Sequence, residues 1–364
     1  VIKTLSGCIG QYKRESILTP IFTALEVFME ILIPFITASI IDKGIQAQNM
    51  SMVLLYGGIM IVCAFLSLFF GVEAGRYAST ASTGFACNLR DAMYENIQSF
   101  SFSNIDKFST AGLVTRMTTD VTNLQNAYQM LMRIAVRAPL MLICSMIMCF
   151  VINVELSLVF LAALVLLGIV LMTVMKRAMP IFTRVFARYD DVNASVQENV
   201  SAIRVVKAFV REKHESGKFE KAAEELYKLF VKAESTIIVN NPIMMTVIYG
   251  SILALSWFGA HFIVSGTLTT GNLTSLISYV ISMMMSLMML SMIFVMLTMS
   301  TASAKRIAEV LNEKADLTDP EQPETVIADG SIDFDHVCFS YRAGSGEDVL
   351  HDIDLHLHPG GLWR

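Results

Sequence analysis

Residues 235–304 read STIIVNNPIMMTVIYGSILALSWFGAHFIVSGTLTTGNLTSLISYVISMMMSLMMLSMIFVMLTMSTASA, seventy positions without one Asp, Glu, Lys or Arg. About 20 apolar residues in a helix cross the hydrocarbon core of a bilayer. The stretch therefore holds two spans, 237–264 and 273–298, joined by the polar turn Ser265–Gly271. A water-soluble fold has no place for such a block.

Working outward, four more apolar segments lie at 17–41, 52–75, 134–154 and 156–176. The chain has 364 residues, of which 54% are hydrophobic and 16% charged, against about a quarter charged in soluble domains. Its mean hydropathy is +0.57. The net charge of −5 carries little weight, because orientation follows the placement of Lys and Arg rather than the sum. Six Cys show no CxxC pairing and read as small buried hydrophobes in a reducing cell. The first apolar segment is too long for a cleavable signal peptide and lacks a small-residue cleavage site. The chain starts at Val1, which leaves its true start open.

The connections alternate in length. Those after the first, third and fifth spans are short, whereas the second and fourth spans are each followed by about 60 residues. Of the 27 Lys and Arg, three lie in the N-terminal tail, six in the second connection, twelve in the fourth and five in the C-terminal part, leaving Lys43 alone in a short connection. The positive-inside rule then puts both termini and the long connections in the cytoplasm. The basic stretch 204–232 is nearly balanced by Glu212, Glu215, Glu220, Glu224, Glu225 and Glu234, so it reads as a solvated helix with i,i+4 pairs and not as a nucleic-acid surface. Residues 76–103 and 181–232 keep apolar side chains at helical spacing, Val196, Val200, Ile203 and Val206 among them. They read as spans continuing into the cytoplasm, where about 25 residues reach roughly 35–40 Å and must grip a partner subunit or a soluble domain.

Beyond span six a helix continues through Glu309 to the polar segment that begins at Asn312, and Pro320 and Pro323 mark a linker. The pattern then turns to period two: Ile332 and Phe334 alternate with Asp333 and Asp335, and Ile353, Leu355 and Leu357 with Asp352, Asp354, His356 and His358. The predicted architecture is an all-α membrane protein of six transmembrane helices with long cytoplasmic extensions over 1–312, a linker over 313–328, and a short β fragment over 329–364. That fragment is too small for a core of its own.

Three sets of residues carry a family resemblance. Phe108-Ser-Thr-Ala-Gly112-Leu-Val-Thr-Arg116-Met-Thr-Thr-Asp120-Val121 in the second connection, Gln197-Glu198-Asn-Val-Ser-Ala-Ile203-Arg-Val-Val-Lys207-Ala-Phe209 in the fourth, and Gly330-Ser-Ile-Asp-Phe334-Asp-His-Val337-Cys-Phe339-Ser-Tyr341 stand in order along the chain. Together the sequence resembles a half-transporter of the ABC exporter superfamily, of the bacterial multidrug, lipid or peptide type. In that type the membrane domain is fused ahead of the nucleotide-binding domain. Ala202 departs from the glycine usual in the family, and a small residue is kept.

The resemblance implies that residues 104–112 and 198–209 form short coupling helices docked on ATPase domains. The implied coupling residues are Asp106, Phe108, Gly112, Arg116, Asp120, Glu198, Ile203, Lys207 and Phe209. It also implies a second half-transporter in a homo- or heterodimer, nucleotide-binding domains as partners, a bacterial plasma membrane and an apolar cargo moved outward by alternating access. ATP and Mg²⁺ are the cofactors implied for the intact parent, with Tyr341 stacking on adenine. After Gly360 the family runs into a Gly-x-x-x-x-Gly-Lys-Ser/Thr loop whose N–H groups cradle phosphates; here the chain reads Gly361-Leu-Trp-Arg364. The expectation is a product truncated ahead of that loop, without a catalytic residue and unable to hydrolyse ATP.

Further candidates come from the spans themselves. Glu26 and Glu30 lie one turn apart within span one; ionisable groups at membrane depth are functional candidates by default, although hydrogen bonding within the bundle would also explain them. Met285, Met289, Met292 and Met296 can share one face of span six with Met299, fitting either a pliable substrate cavity or a packing and lipid-facing surface. His351, His356 and His358 alternate on an exposed strand face with no ligand cluster to complete a metal site. Asn272-Leu-Thr274 is a glycosylation sequon without meaning in a bacterium. Two rival readings stay open: an ATP-independent secondary transporter, marked by inverted repeats or broken helices, and a non-catalytic or inactive membrane fragment.

Overall fold

The computed structural model describes residues 2–315, 330–340 and 349–359. Its elements run α1 (Ile2–Gly7), α2 (Lys13–Ser39), α3 (Met50–Gln98), α4 (Phe102–Phe108), α5 (Thr110–Thr115), α6 (Val121–Ile152), α7 (Val154–Ser201), α8 (Ile203–Ala208), α9 (Glu212–Ile238), α10 (Asn240–Val264), α11 (Thr270–Asn312), β1 (Ile332–Phe339) and β2 (Leu350–Leu357). A single 3-10 turn precedes α2, and π-helical turns extend it over Ile40–Ile45 and lead into α6 over Arg116–Asp120.

Among the described residues, six helical stretches are long and apolar enough to cross a membrane: Gly10–Ile45, Met50–Gln98, Thr110–Ile152, Val154–Ser201, Glu212–Val264 and Thr270–Ile293. Each overlaps one of the six spans read from hydropathy; the third ends at Ile152 and the sixth at Ile293, short of the 154 and 298 read from sequence. The chain is a multi-pass membrane protein.

Two compact units divide the chain, one of Pro20–Glu73 and Ile134–Ile293, the other of Val1–Thr19, Ala74–Arg133 and Phe294–Arg364. In the first unit Val27 and Ile31 of α2 are buried with Met146, Cys149, Phe160, Leu255, Leu276 and Tyr279. Leu54, Phe65, Leu68 and Phe69 on α3 point outward, as they should where the solvent is hydrocarbon. Asn153 separates α6 from α7: its side chain accepts from the Leu156 N–H at 3.0 Å and caps the new helix.

Pro34 lies inside α2. Proline removes a helical donor, and α11 meets backbone acceptors on this part of α2. The Tyr279 hydroxyl donates to the Ile31 carbonyl at 2.7 Å and the Ser275 hydroxyl to the Pro34 carbonyl at 2.6 Å. Further out, Asp42 accepts from the Gly271 N–H at 2.8 Å and from the Thr269 hydroxyl at 2.6 Å, capping the N-terminus of α11 from another element. A Cβ on Gly271 would fall 2.4 Å from the Ala38 carbonyl, so this approach requires glycine.

The second unit packs Leu5, Phe85, Leu89, Met93, Leu113, Val121, Ile307 and Val310 together. Tyr12 lies so close to Gly84 that a Cβ there would come within 2.2 Å of its ring. The period-two segments form an antiparallel pair, with Ile332 opposite Leu357 and Phe334 opposite Leu355. Most of the linker lies outside the described residues.

Candidate functional site

Glu26 and Glu30 are the only charges on α2 between Glu15 and Asp42, and Arg137 is the only cation in the apolar run 134–154 of α6. The structure closes them into one cluster. Arg137 Nη1 lies 2.5 Å from Glu26 Oε1, and Nη2 lies 2.7 Å from both oxygens of Glu30. Gly71 of α3 leaves room for Glu26; a Cβ there would sit 2.9 Å from Oε1. Glu26 is only 7% exposed, and its Oε2 is buried without a hydrogen-bond partner. The side chains of Arg137 and Glu30 keep 24% and 28% of their surface exposed. Two carboxylates face one guanidinium in this cluster.

Arg137 corrects the sequence reading, which counts it among the cations of the long second connection. It stands inside the third span, matched to the two carboxylates. The signal that finds it is an arginine within an apolar run, which calls for an acid partner at the same depth.

The span-six methionines divide between faces. Met283 and Met284 are buried, Met284 with Leu167, Met244 and Leu287. Met285, Met289 and Met292 are exposed at 63%, 41% and 61%. Met296 is half-buried and belongs to the other unit, and the Met299 side chain lies outside the described residues.

In that other unit, α4 and α5 form short helices where the first coupling segment is expected. Ser101 and Asn104 make a reciprocal cap at the start of α4. Asn104, 2% exposed, donates to the Glu313 carboxylate at 3.0 Å and to the Lys314 carbonyl at 3.1 Å, while Lys107 pairs with Glu313 at 2.8 Å. Phe108 stacks on Phe100 with centroids 5.9 Å apart, and the Arg116 guanidinium lies 4.8 Å from the Phe108 ring centroid. Arg116 also donates to the Arg306 carbonyl at 2.8 Å and to Glu309 at 3.1 Å. The Gly112 N–H donates to Ser109 Oγ at 3.2 Å.

Asp120, 1% exposed, accepts from Arg306 Nε at 2.7 Å and from the Ser303 hydroxyl at 2.8 Å. It lies well before the apolar run of α6. Burial pushes its carboxyl up, but hydrogen bonds from Arg306 and Ser303 and the charges of Arg306 and Arg116 outweigh that and hold it below the ordinary range. The Asp106 side chain lies outside the described residues.

The second expected coupling segment belongs to the first unit, where α8 is a short helix. Ala202, standing where the family favours glycine, has φ −93° and so needs none. Val196, Val200, Ile203, Val206 and Phe219 line a half-open cavity of about 350 Å³, bordered by Asn199, Lys207, Glu212 and Glu215. Lys207 pairs with Glu212 at 3.1 Å and Glu198 with Lys218 at 3.7 Å. Ile203 and Phe209 remain exposed at 43% and 74%, an apolar tip facing solvent.

His351 and His356 on β2 and His358 just past its end are all exposed. Asp335, His336 and Asp354 bring ligand atoms within 4.8 Å of one another, a grouping the alternation of residues did not suggest; exposed acids often gather so without an ion. Tyr341 lies outside the described residues.

Residues 16–287 match the family described as ABC transporter transmembrane region. The chain belongs to that family. It is similar to the protein named "Uncharacterized ABC transporter ATP-binding protein YfiB" of Bacillus subtilis (strain 168), 34% identical over 337 residues, which cover 92% of this chain and 58% of that one. An uncharacterized ABC transporter ATP-binding protein of Mycobacterium tuberculosis is 28% identical over 354 residues, 97% of this chain and 61% of its own length. The ABC-type oligopeptide transporter ABCB9 of Rattus norvegicus is 22% identical over 345 residues, 93% and 44%. This ABC membrane chain therefore spans less than two thirds of the length of these relatives.

Proposed function

We propose that this chain is the membrane half of an ATP-driven exporter that pairs with a second half-transporter, homo- or heterodimeric. In this reading both termini face the cytoplasm of a bacterial cell. The cargo is an apolar drug, lipid or peptide, taken up in a cavity bordered by Glu26, Glu30 and the exposed methionines of span six, and expelled by alternating access. Domain boundaries at 312 and 328 are part of the same proposal.

The observation that carries it is the tie between the first coupling segment and the chain that leaves span six. Asn104 and Lys107 hold Glu313 and Lys314, Arg116 holds Glu309, and Asp120 holds Arg306. A soluble motor attached beyond residue 314 would pull on both at once. In the second segment, exposed Phe209 and Ile203 supply an apolar tip for a motor domain to seat, with Glu198 and Lys207 beside it. A binding tip on a long helical lever is what a transporter driven from outside the membrane requires, whereas an ion-driven carrier has no use for it.

ATP and Mg²⁺ belong to the parent protein. Tyr341 is proposed to stack on adenine, but β1 and β2 offer no cradle of N–H groups for phosphates among the described residues, so no step of nucleotide chemistry is derived from this chain. Reading the codons beyond codon 360 tests the proposal. A Gly-x-x-x-x-Gly-Lys-Ser/Thr loop there, in any frame, supports it; a hundred codons without one remove its engine.

A further inference from the structure

We propose that Lys176, Arg177 and Arg184 of α7 form a docking surface for the headgroup of an anionic phospholipid at the edge of the membrane. The inference goes beyond the exporter reading, and it stands or fails whether or not ATP drives the protein.

Three observations carry it. The first is position. Residues 156–175 of α7 hold no charged side chain, and about 20 helical residues fill the hydrocarbon core. Lys176 and Arg177 therefore enter the headgroup layer, which adds about 5–8 Å on each side. The backbone of Arg184 stands about 12 Å further along the helix. Helical side chains lean toward the N-terminus, here toward the membrane, so its guanidinium reaches back toward the same layer.

The second is unmatched charge. Between Glu155 and Asp190, α7 carries Lys176, Arg177, Arg184 and Arg188 and no acid. Arg188 pairs with Asp191 at 3.1 Å. The other three are exposed and have no ion pair or side-chain hydrogen bond among the described residues. The helices packed most extensively on α7 are α9 and α10, and α10 contains no Asp, Glu, Lys or Arg. α9 runs back along α7, with Asn199 bonded to Glu215 at 3.2 Å and Glu198 paired with Lys218 at 3.7 Å. Equal rise along both helices puts Lys232 and Glu234 at about the level of Arg184, where they offset each other. Asp190, Glu225 and the Lys228–Glu224 pair lie further from the membrane, and on α2 and α6 the residues Glu26, Glu30 and Arg137 pair among themselves. Three positive charges are left at the membrane edge.

The third is the apolar stripe that leads to these cations. Leu158, Val165, Ile169 and Met172 are exposed, on the face of α7 opposite the buried Leu167, Ala178 and Val185. At helical spacing the stripe continues into Lys176, with Arg177 and Arg184 beside it two turns apart. A molecule that covers both stripe and cations has apolar chains ending in a negative group, which is the chemistry of an anionic phospholipid. A nucleic acid or a soluble acidic protein would satisfy the cations and leave the stripe bare. Basic clusters immediately beside a span attract anionic headgroups in this way.

The test reconstitutes the purified 364-residue chain into vesicles of phosphatidylglycerol and phosphatidylcholine in equal proportion. The chain is then extracted in mild detergent, and the phospholipid it retains is counted by mass spectrometry. No nucleotide is present, so failure of ATP-driven transport does not enter the result. Phosphatidylglycerol should be retained at least about fivefold over phosphatidylcholine, and Arg177→Gln and Arg184→Gln should each lower that ratio by up to about fivefold. Adding Lys176→Gln to both should bring it close to one. Lys221→Gln, an exposed cation about 16 Å along α9 from Lys232, should leave it unchanged. Equal retention of the two lipids by the unaltered chain would overturn the proposal, as would a preference that survives the triple substitution with an unchanged helical spectrum. Should the triple variant fail to fold, added salt on the unaltered chain decides: the preference should weaken as salt screens the cations, and a preference indifferent to salt would overturn the proposal.

Discussion

Arg306 Nε donates to the Asp120 carboxylate at 2.7 Å across 186 positions of chain. The pair ties the helix entering span three to the helix leaving span six, and Ser303 adds a second donor at 2.8 Å. Asp120→Asn should lower stability by about 1.5–3 kcal/mol, the range for a hydrogen bond to a charged group. Thermal unfolding of the detergent-solubilised chain reads the effect, and an unchanged midpoint would mean that the tie contributes nothing.

The same carboxyl fixes a pH dependence. Its affinity for protons is lower in the folded chain than in the unfolded one. Its contribution is therefore fully present above the ordinary carboxylate value, near 3.9, and is lost as pH falls through the lower folded value. The stability gap between the unaltered chain and Asp120→Asn should stay constant from neutral pH to about pH 4 and close below that. A gap that closes between pH 5 and 7 would place the controlling group elsewhere.

Removing Arg137 leaves two carboxylates facing each other without a cation. Arg137→Met should cost about 3–5 kcal/mol, as does breaking other buried pairs. Adding Glu26→Gln and Glu30→Gln to it should recover most of that loss. A triple variant no more stable than Arg137→Met would show that packing, not charge, governs the site.

Gly71 and Gly57 lie on one helix and make a paired test. A Cβ at Gly71 would sit 2.9 Å from Glu26 Oε1, whereas nothing lies within 4 Å of one at Gly57. Gly71→Ala should destabilise by about 1–3 kcal/mol through overpacking. Gly57→Ala should be neutral or stabilising by up to about 1 kcal/mol, from helix propensity. Equal effects at the two positions would count against the close approach of α3 to Glu26.

Asp42→Ala removes the acceptor for both the Gly271 N–H and the Thr269 hydroxyl. The start of α11 should loosen, and amide exchange at Gly271 should speed by about tenfold for a loss of roughly 1.4 kcal/mol. Exchange at the buried middle of α11, around Tyr279, should not change.

The six spans were legible because hydropathy and length decide them, and the period-two pattern announced the strands in the same local way. Short helices at α4 and α8 were expected from the resemblance; periodicity, read over 181–232, suggested only a continuous helix at α8. Glu26 and Glu30 were visible as a pair one turn apart, but their partner is 111 and 107 positions away on another helix, and no local pattern links them. Counting Arg137 with the cytoplasmic cations hid it. The Asp42 cap on α11 and the Tyr279 bond to the Ile31 carbonyl were likewise hidden, since each depends on which helices lie side by side. Position within a helix is written in the sequence, and the face it meets is not.

In the proposed function, this membrane half moves its cargo with energy delivered through its cytoplasmic segments. Inside-out vesicles carrying this chain joined to a nucleotide-binding domain, assayed for uptake of a fluorescent apolar dye, test it directly. Uptake should require ATP, stop with vanadate, and fall at least tenfold in Phe209→Ala while binding of the dye is unchanged. Uptake driven by a proton gradient without ATP, and indifferent to Phe209, would contradict it.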